Sequence, residues 1–206
     1  QGLEERLNAF IDWFNQSLND SLLDPLLRAG ITHLWFVTLH PFDDGNGRIT
    51  RTLTDLSLAQ MDEQSIRLYA MSTAILNKRK SYYEILEQTQ KNDSDITDWL
   101  VWFLDTLNDS LEKTLAQISR TLFKSQFWHK YSNLALSEEQ RKVLNRLLDG
   151  GENGFEHGIS ASQYQKVAKI SKATATRHLS DLLEKECIVK LEGGGRNTRY
   201  QINTQL

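Results

Sequence analysis

The sequence is poor in the residues that tie a chain together covalently or divide it into short elements. It holds one cysteine, Cys187, and two prolines, Pro25 and Pro41, in 206 residues. A single cysteine excludes an intramolecular disulfide framework and is compatible with a reducing compartment, so we expect a cytoplasmic protein. The five histidines and this cysteine show no spacing typical of a zinc site.

Long apolar runs are also missing. The longest, around residues 31–39, is interrupted by Thr32, His33 and Thr38 and is too short to span a bilayer, so we expect no membrane segment. The formal net charge of −3 gives no overall attraction to nucleic acid. The chain opens at Gln1 directly on an amphipathic pattern, and we therefore expect a fragment of a longer protein.

Apolar positions recur at intervals of three and four through most of the first 135 residues, which predicts a mainly α-helical part. Asp24 followed by Pro25 is a favourable helix start, with an N-cap and a proline at the first helical position. The expected helices span residues 2–18, 24–39, 47–61, 65–77, 80–89, 95–123 and 125–132.

A change of pattern near Leu136 predicts two domains, residues 1–135 and 136–206. Ser137 opens a capping box and a helix that ends in the glycine-rich stretch 150–158. The pattern then predicts helices at 160–169 and 171–185 and two short β-strands around a turn. The strands cover residues 187–191 and 198–202, and the turn covers 192–197. Three helices followed by a β-hairpin resemble a winged helix.

The most informative stretch is residues 40–51, His-Pro-Phe-Asp-Asp-Gly-Asn-Gly-Arg-Ile-Thr-Arg. A glycine-rich loop that feeds a helix directs several backbone N–H groups and the positive end of the helix dipole at one point, which suits phosphate. His40 adds an imidazole, a side chain that commonly acts as a general base. Asp44 adds a carboxylate that suits Mg²⁺. We therefore predict a nucleotide-binding site.

The other residues of this stretch have supporting roles in the prediction. Gly45 and Gly47 let the backbone approach phosphate, and the amide of Asn46 can tolerate positive φ and hydrogen-bond the nucleotide. Arg48 and Arg51 lie on one helix face and can hold phosphates. An alternative for Arg51 is a purely structural ion pair with Asp55. Phe42 is expected to anchor the loop, and Asp43 to be a solvated acid or a second group near the metal.

At these positions the chain resembles the Fic family, whose motif is His-x-Phe-x-Asp/Glu-Gly-Asn-Gly-Arg-x-x-Arg. All eight defined positions match, at His40, Phe42, Asp44, Gly45, Asn46, Gly47, Arg48 and Arg51. The resemblance implies a helical Fic core that binds ATP and Mg²⁺. It also implies transfer of AMP to a Ser, Thr or Tyr hydroxyl of a protein target, or of the enzyme itself, with His40 as the base.

Two glycines favour AMP over phosphate as the transferred group. Family members that resemble the toxin Doc and transfer phosphate carry lysine at the position of Gly47 and alanine at that of Gly45. Neither a β-hairpin flap in residues 1–23 nor the inhibitory pattern Ser/Thr-x-x-x-Glu-Gly/Asn is present in this sequence. Two alternatives stay open: removal of AMP by the same site, and a binding module in which the winged helix carries the function and the Fic site has become regulatory or inert.

The C-terminal domain carries a weak positive charge. Residues 137–206 hold eleven Lys/Arg and nine Asp/Glu, whereas the rest of the chain has a net charge of −5. On a DNA-binding interpretation the contacts would come from Lys172, Thr174, Thr176, Arg177, Arg196 and Arg199. Several acids lie close in sequence, including Asp181 and Glu184, so a regulatory module or a homodimer interface is the alternative.

Overall fold

The computed structural model describes residues 2–62, 70–91, 95–150, 155, 157–192 and 198–205. In these ranges the chain is mainly α-helical, as the sequence predicts. The helices are α1 Leu3–Gln16, α2 Pro25–Leu39, α3 Asn46–Asp62, α4 Met71–Asn77, α5 Arg79–Lys91, α6 Thr97–Lys130, α7 Glu138–Asp149, α8 Ala161–Ala168 and α9 Lys172–Glu184. The strands are β1 Ile159–Ser160, β2 Ile188–Lys190 and β3 Arg199–Ile202. A membrane-crossing helix is not found among these described elements.

Helix α2 begins where the sequence predicts. The Asp24 side chain accepts hydrogen bonds from the backbone N–H groups of Leu26 (2.8 Å) and Leu27 (3.4 Å), and Pro25 occupies the first helical position. An N-cap of this kind stabilises a helix by about 1 kcal/mol. The start of α2 fixes the register of the helix that leads into the candidate site.

Buried polar side chains show that α2 and α3 run antiparallel. Arg28 near the start of α2 donates to Ser57 (2.9 Å) and Gln60 (3.0 Å) near the end of α3. Further along α2, His33 is bonded to Thr54 (2.9 Å), which lies earlier in α3. Since the partner numbers fall as the α2 numbers rise, the two helices form a hairpin whose connection is the motif loop.

Arg28 also fastens the segment before α2 to this hairpin. It is 4% exposed, and it donates to the Ser17 hydroxyl (2.9 Å) and the Phe14 carbonyl (2.7 Å). Burial lowers the pKa of the guanidinium. A buried cation is tolerated only when its donors are satisfied, and four acceptors satisfy this one.

A glycine lets α6 approach α2 closely. The Trp99 indole N–H of α6 donates to the Gly30 carbonyl at 2.9 Å, and Trp99 is fully buried. A Cβ on Gly30 would lie 2.9 Å from Leu100 Cδ2 and 3.1 Å from Phe103 Cδ1. The core of this part of the chain forms around the contact, from residues that include Ala29, Leu34, Leu58, Met71, Ile75, Leu86, Phe103 and Leu107.

The chain divides into two compact units, residues 1–115 and 116–206. The division falls within α6, earlier than the boundary at 135/136 that the sequence suggests. The reason is that Phe127 and Tyr131, which end α6, belong to the core of the second unit. The sequence also predicts separate helices at 95–123 and 125–132, but α6 is continuous because residues 116–130 contain neither glycine nor proline.

The second unit has the predicted order of helices and strands. Capping boxes open α7, at Ser137 and Gln140, and α8, at Ser160 and Gln163. The sheet is antiparallel in the order β1-β3-β2, with Ile188 opposite Ile202. The short strand β1 is not predicted by the sequence. Of the expected wing turn, residues 193–197 lie outside the described ranges, as do residues 65–69 of the helix expected at 65–77.

We predict that Gly30→Ala lowers the free energy of unfolding by up to about 2 kcal/mol. Overpacking of a core costs about 1–3 kcal/mol, while the better helix propensity of alanine returns about 1 kcal/mol. Thermal unfolding of single and double variants tests this. Leu100→Ala should cost less in the Gly30→Ala background than alone, since it removes one side of the clash. A Gly30→Ala protein about 1 kcal/mol more stable than wild type would contradict the packing constraint.

Candidate functional site

The motif loop leaves α2 at His40 in an uncommon backbone conformation. His40 caps the helix with φ 46° and ψ 55°, and its N–H donates to the Phe36 carbonyl at 3.2 Å. The sequence predicts a turn away from the right-handed helical region because Pro41 follows. The structure shows that this turn is left-handed, which is rare for a residue other than glycine. His40 is exposed, so its imidazole is accessible to a substrate.

Asn46 closes the loop. Its Oδ1 accepts from the Phe42 N–H at 3.0 Å, its Nδ2 donates to the Phe42 carbonyl, and the residue is 3% exposed. The positive φ that the sequence allows at Asn46 occurs instead at Gly45, with φ 87°. The amide therefore holds the loop backbone, and a contact from it to a nucleotide stays a prediction.

Phe42 is tied to the site mainly by its backbone. Its side chain is 46% exposed, and its ring centroid lies 6.4 Å from that of Phe36. The sequence predicts an anchor packed under the loop. The structure gives a half-exposed ring beside Phe36 and a backbone held by Asn46, because the loop is too short to fold over a complete aromatic side chain.

The loop delivers its backbone to the N-terminus of α3. The Gly45 carbonyl accepts from the N–H groups of Arg48 and Ile49, both at 3.0 Å. The first N–H groups of a helix have no acceptor within the helix and, with the helix dipole, form an anion-binding site. The structure thus places Asn46 and Gly47 in the first turn of α3, where backbone N–H groups can bind an anion, and phosphate binding there stays a prediction.

Asp44 and Arg48 form an exposed ion pair beside this N-terminus. The Asp44 Oδ2 lies 3.1 Å from the Arg48 Nη2, and the two side chains are 92% and 74% exposed. A pair this exposed contributes about 0–1 kcal/mol, so a charged ligand can separate it at low cost. Both groups are available to solvent and to ligand.

The donor set fits Mg²⁺ held jointly with a nucleotide. Among the described residues no group of three or more His, Cys, Asp or Glu side chains could bind a metal unaided. Mg²⁺ commonly uses one or two carboxylates together with phosphates and water. Asp44 would supply the first carboxylate, and the exposed Asp43 next to it is the nearest second candidate in sequence.

Arg51 lies one turn further along α3, beside a cavity. A Cβ at Gly47 would lie 3.4 Å from its Nη1, so the glycine leaves room for the guanidinium. The cavity has a volume of about 420 Å³, and Ser72, Thr73, Arg79, Tyr82 and Tyr83 also line it. The sequence pattern did not predict this cavity. The spacing of Arg79, Tyr82 and Tyr83 on one face of α5 is the signal that could have indicated it.

His33 is a buried residue that links the helices carrying the candidate site. It is 1% exposed, with Nδ1 at 2.9 Å from the Thr54 hydroxyl and Nε2 at 3.0 Å from the Tyr82 hydroxyl. Burial, and secondly the charge of Arg51, lower its pKa to about 3, so the ring is neutral near pH 7. Burial raises the pKa of Tyr82 to about 12. The neutral His33 therefore joins α2, α3 and α5 without adding charge.

Of the described residues predicted to contact DNA, Lys172, Thr176 and Arg177 on α9 are exposed, and so is Arg199 on β3. Thr174 instead takes part in the helix cap, with its N–H 3.2 Å from the Ser171 Oγ and its hydroxyl 2.9 Å from the same atom.

On β3, Arg199 donates to the Gly158 carbonyl at 2.9 Å. This bond ties its Nη1 to the segment that precedes β1, and its expected role as a phosphate contact stays a prediction. Arg196 lies outside the described residues.

We predict that His33 makes the first unit lose stability as the pH falls below about 6.5. A folded-state pKa of about 3 lies below the usual 6.5, so the unfolded chain binds the additional proton. The stabilisation that neutral His33 gives the folded state is complete above pH 6.5. It falls by up to about 1.4 kcal/mol per pH unit towards pH 3.

Tryptophan fluorescence can follow this unfolding, since four of the five tryptophans precede residue 116. The difference in stability between wild type and His33→Gln should shrink as the pH falls from 6.5 to 5. The exposed-site control His129→Gln should show the same pH dependence as the wild type. A stability difference between wild type and His33→Gln that does not change with pH would contradict a depressed pKa.

Comparison with known proteins bears on the first part of the chain. Residues 1–58 match the model of the Fic/DOC family. The chain is 33% identical over 93 residues to Protein adenylyltransferase Fic from Nematostella vectensis, covering 45% of this chain and 20% of that protein. It is 44% identical over 52 residues to Protein adenylyltransferase fic-1 from Caenorhabditis elegans, covering 25% of this chain and 10% of that protein.

The chain thus spans about a fifth or less of these curated relatives. The crystal structure of a Fic family protein from Desulfovibrio desulfuricans G20 aligns with 97% of this chain and 55% of its own. The sequence identity is 20% and the TM-score is 0.48.

Proposed function

Residues 1–58 belong to the Fic/DOC family, and from this premise we propose that the protein transfers AMP from ATP to a hydroxyl group of a protein. The observation that carries the proposal is that exposed His40 opens a six-residue connection that ends at the N-terminus of α3. This arrangement puts an imidazole, which can act as a general base, on the same short loop as an anion site. The acceptor would be Ser, Thr or Tyr in a target protein or in the enzyme itself.

The proposed phosphate site has two cations at different depths. Arg48 is exposed and already paired with one carboxylate, while Arg51 is half-buried at the rim of the cavity. Arginine suits this role because its planar fork matches phosphate oxygens and its charge is permanent. We place the triphosphate along the line from Arg48 to Arg51, with Mg²⁺ held by Asp44 and by the phosphates.

The cavity beside Arg51 is our candidate for the nucleoside. Its volume of about 420 Å³ falls within the range typical of small-molecule sites. Tyr83 offers an exposed aromatic ring, and Arg79 lies 5.8 Å from the centroid of that ring. A flat base can stack on such a ring, since aromatic faces bind one another in offset arrangements.

Gly47 supports transfer of AMP over transfer of phosphate. With the Arg51 Nη1 only 3.4 Å from the position of an added Cβ, a long side chain at residue 47 would occupy the space in front of the guanidinium. A glycine leaves that space for the two phosphates that depart as pyrophosphate.

The proposed reaction needs one proton transfer and one displacement at phosphorus. His40 accepts the proton of the target hydroxyl as the hydroxyl oxygen forms a bond to the α-phosphorus of ATP. The bond between that phosphorus and the bridging oxygen to the β-phosphate breaks, and pyrophosphate leaves with both electrons. Mg²⁺ would neutralise charge on the phosphates, while Arg48, Arg51 and the backbone N–H groups hold them.

Other functions fit the observations less well. Removal of AMP would need a second base to activate water, and the inhibitory motif that provides one in the family is not present in this sequence. The C-terminal unit offers a separate function, nucleic-acid binding, whose residues are not shared with the Fic site.

We predict Mg²⁺-dependent transfer of label to protein from ATP labelled at the α-phosphate but not at the γ-phosphate. His40→Ala should reduce the rate by about 10²–10⁴-fold, the usual effect of removing a positioned base. Labelling of a protein mixture, in a time course resolved by gel electrophoresis, measures this. The exposed-site variant His129→Ala serves as the matched control.

Transfer of the γ label would move the protein to phosphate transfer. A His40→Ala rate within about tenfold of the wild type would remove His40 as the base. Thermal melting with and without ATP–Mg²⁺ needs no target, so it separates failure of the nucleotide site from absence of a suitable target.

We also predict that Arg48→Ala and Asp44→Ala weaken binding of ATP–Mg²⁺ more than they disturb folding. Both side chains are exposed and contribute little to stability as a pair. Thermal melting with and without ATP–Mg²⁺ should show a smaller ligand-induced shift for each variant than for wild type. Arg6→Ala, on the exposed surface of α1, should keep the wild-type shift. Equal shifts in all four proteins would contradict the proposed phosphate site.

A further inference from the structure

We propose that the second unit binds duplex DNA through one cationic surface, the α8–α9 surface. This surface consists of Lys166 on α8, Lys169 in the turn, and Lys172, Thr176 and Arg177 on α9, all of them exposed. It differs from the set expected from sequence: half-buried Thr174 and Arg199, which lies on β3, are left out, while Lys166 and Lys169 are added. The proposal does not rest on AMP transfer.

The two helices are joined by a short, defined turn. Helix α8 ends at Ala168 and α9 begins at Lys172. Lys169 adopts a left-handed conformation (φ 56°, ψ 44°), and its N–H donates to the Gln165 carbonyl. Ser171 then caps α9. Two helices joined by a three- to four-residue turn are the arrangement that places a second helix in the major groove.

The core of the unit determines which side of α9 faces solvent. Ala175, Leu179 and Leu182 are buried in the core. Residues 172, 173, 176, 177 and 180 are exposed and form the opposite side of the helix. Since α9 is held by its apolar side, its N-terminal half is available for a groove.

Within residues 161–180 the charged side chains have one sign. Residues 161–180 contain four Lys/Arg and no Asp or Glu. The first acid after them, Asp181, accepts hydrogen bonds from Gln140 on α7 and from Lys185, both at 2.6 Å. Its carboxylate is thus engaged with α7 and the end of α9. Glu184 lies twelve residues after Lys172, which is about 18 Å along a helix.

The surface also lacks the apolar residues that a protein partner would need. The large exposed hydrophobic residues of the described chain include none between 161 and 184. Protein–protein interfaces usually centre on aromatic or aliphatic anchors. A surface of cations and small side chains, with Ala173 and Thr176 between Lys172 and Arg177, fits a polyanion that a helix can approach closely. Duplex DNA is such a partner.

The cations set the expected salt dependence. If all four contact phosphates, the logarithm of affinity should fall with the logarithm of salt concentration with a slope of about −3 to −4, at about −0.9 per contact. Thr176 can add an apolar or hydrogen-bonding contact to a base edge. We therefore expect modest affinity, with sequence preference confined to a few base pairs.

The test uses the whole 206-residue chain and duplexes of about 20 base pairs, roughly two helical turns, enriched from a random pool. Fluorescence anisotropy over a salt series measures affinity and slope. Lys172→Gln combined with Arg177→Gln should weaken binding at about 50 mM salt at least tenfold and make the slope shallower by about 2. A charge-matched double variant in the first unit, Lys80→Gln with Lys113→Gln, should behave as wild type.

Three results would overturn the proposal. One is failure to enrich any duplex or to bind one more tightly than about 10⁻⁴ M. Another is an equal loss in the charge-matched control, which would show attraction to net charge alone. The third is tighter binding of single-stranded RNA than of duplex DNA.

Should the α9 double variant unfold, Lys166→Gln on α8 provides the same test, with a slope change of about 1. Pyrophosphate release should stay at the wild-type rate in every variant.

Discussion

The candidate site depends on a tight connection between two antiparallel helices. The chain must leave α2 after Leu39 and enter α3 at Asn46 within six residues, and it does so with positive φ at His40 and at Gly45. The buried amide of Asn46 then holds the Phe42 backbone by donating and accepting at once. This closure keeps exposed His40 within six residues of the N-terminus of α3. The geometry of the candidate site is therefore a property of the turn, and the same side chains on a longer loop would be held less closely together.

The helices on either side of the turn are held by buried polar contacts as well as by apolar packing. Arg28 and His33 each join α2 to α3, and the Trp99 indole reaches the Gly30 carbonyl. Buried polar groups are costly when unpaired, so a shift of α2 by one turn would leave several donors without acceptors. Such contacts fix the register of the hairpin. Apolar residues alone would allow more than one alignment, since their packing is less directional.

Much of the fold and the site was accessible from sequence because the signals are local. The start of α2 at Asp24 and Pro25 and the capping box at Ser137 each depend on residues within one turn. The motif loop is likewise contiguous. What could not be predicted depends on distant partners. The cavity needs α5 to lie beside Arg51, the engagement of Arg199 needs the segment before β1, and the division inside α6 needs the second core. The left-handed His40 is local, but the residue type gave no indication of it.

The two proposed ligands, ATP and DNA, are both polyanions, yet the chain as a whole is negatively charged. The part before residue 137 carries a net charge of −5 and still presents Arg48, Arg51 and a helix N-terminus at one point. In the second unit, Asp181 is bonded to Gln140 and Lys185, while Lys172 and Arg177 remain exposed. Interactions of exposed charges are screened beyond about 8–10 Å at physiological salt. Distant acids therefore subtract little from either surface, and the placement of a few cations decides what each unit can bind.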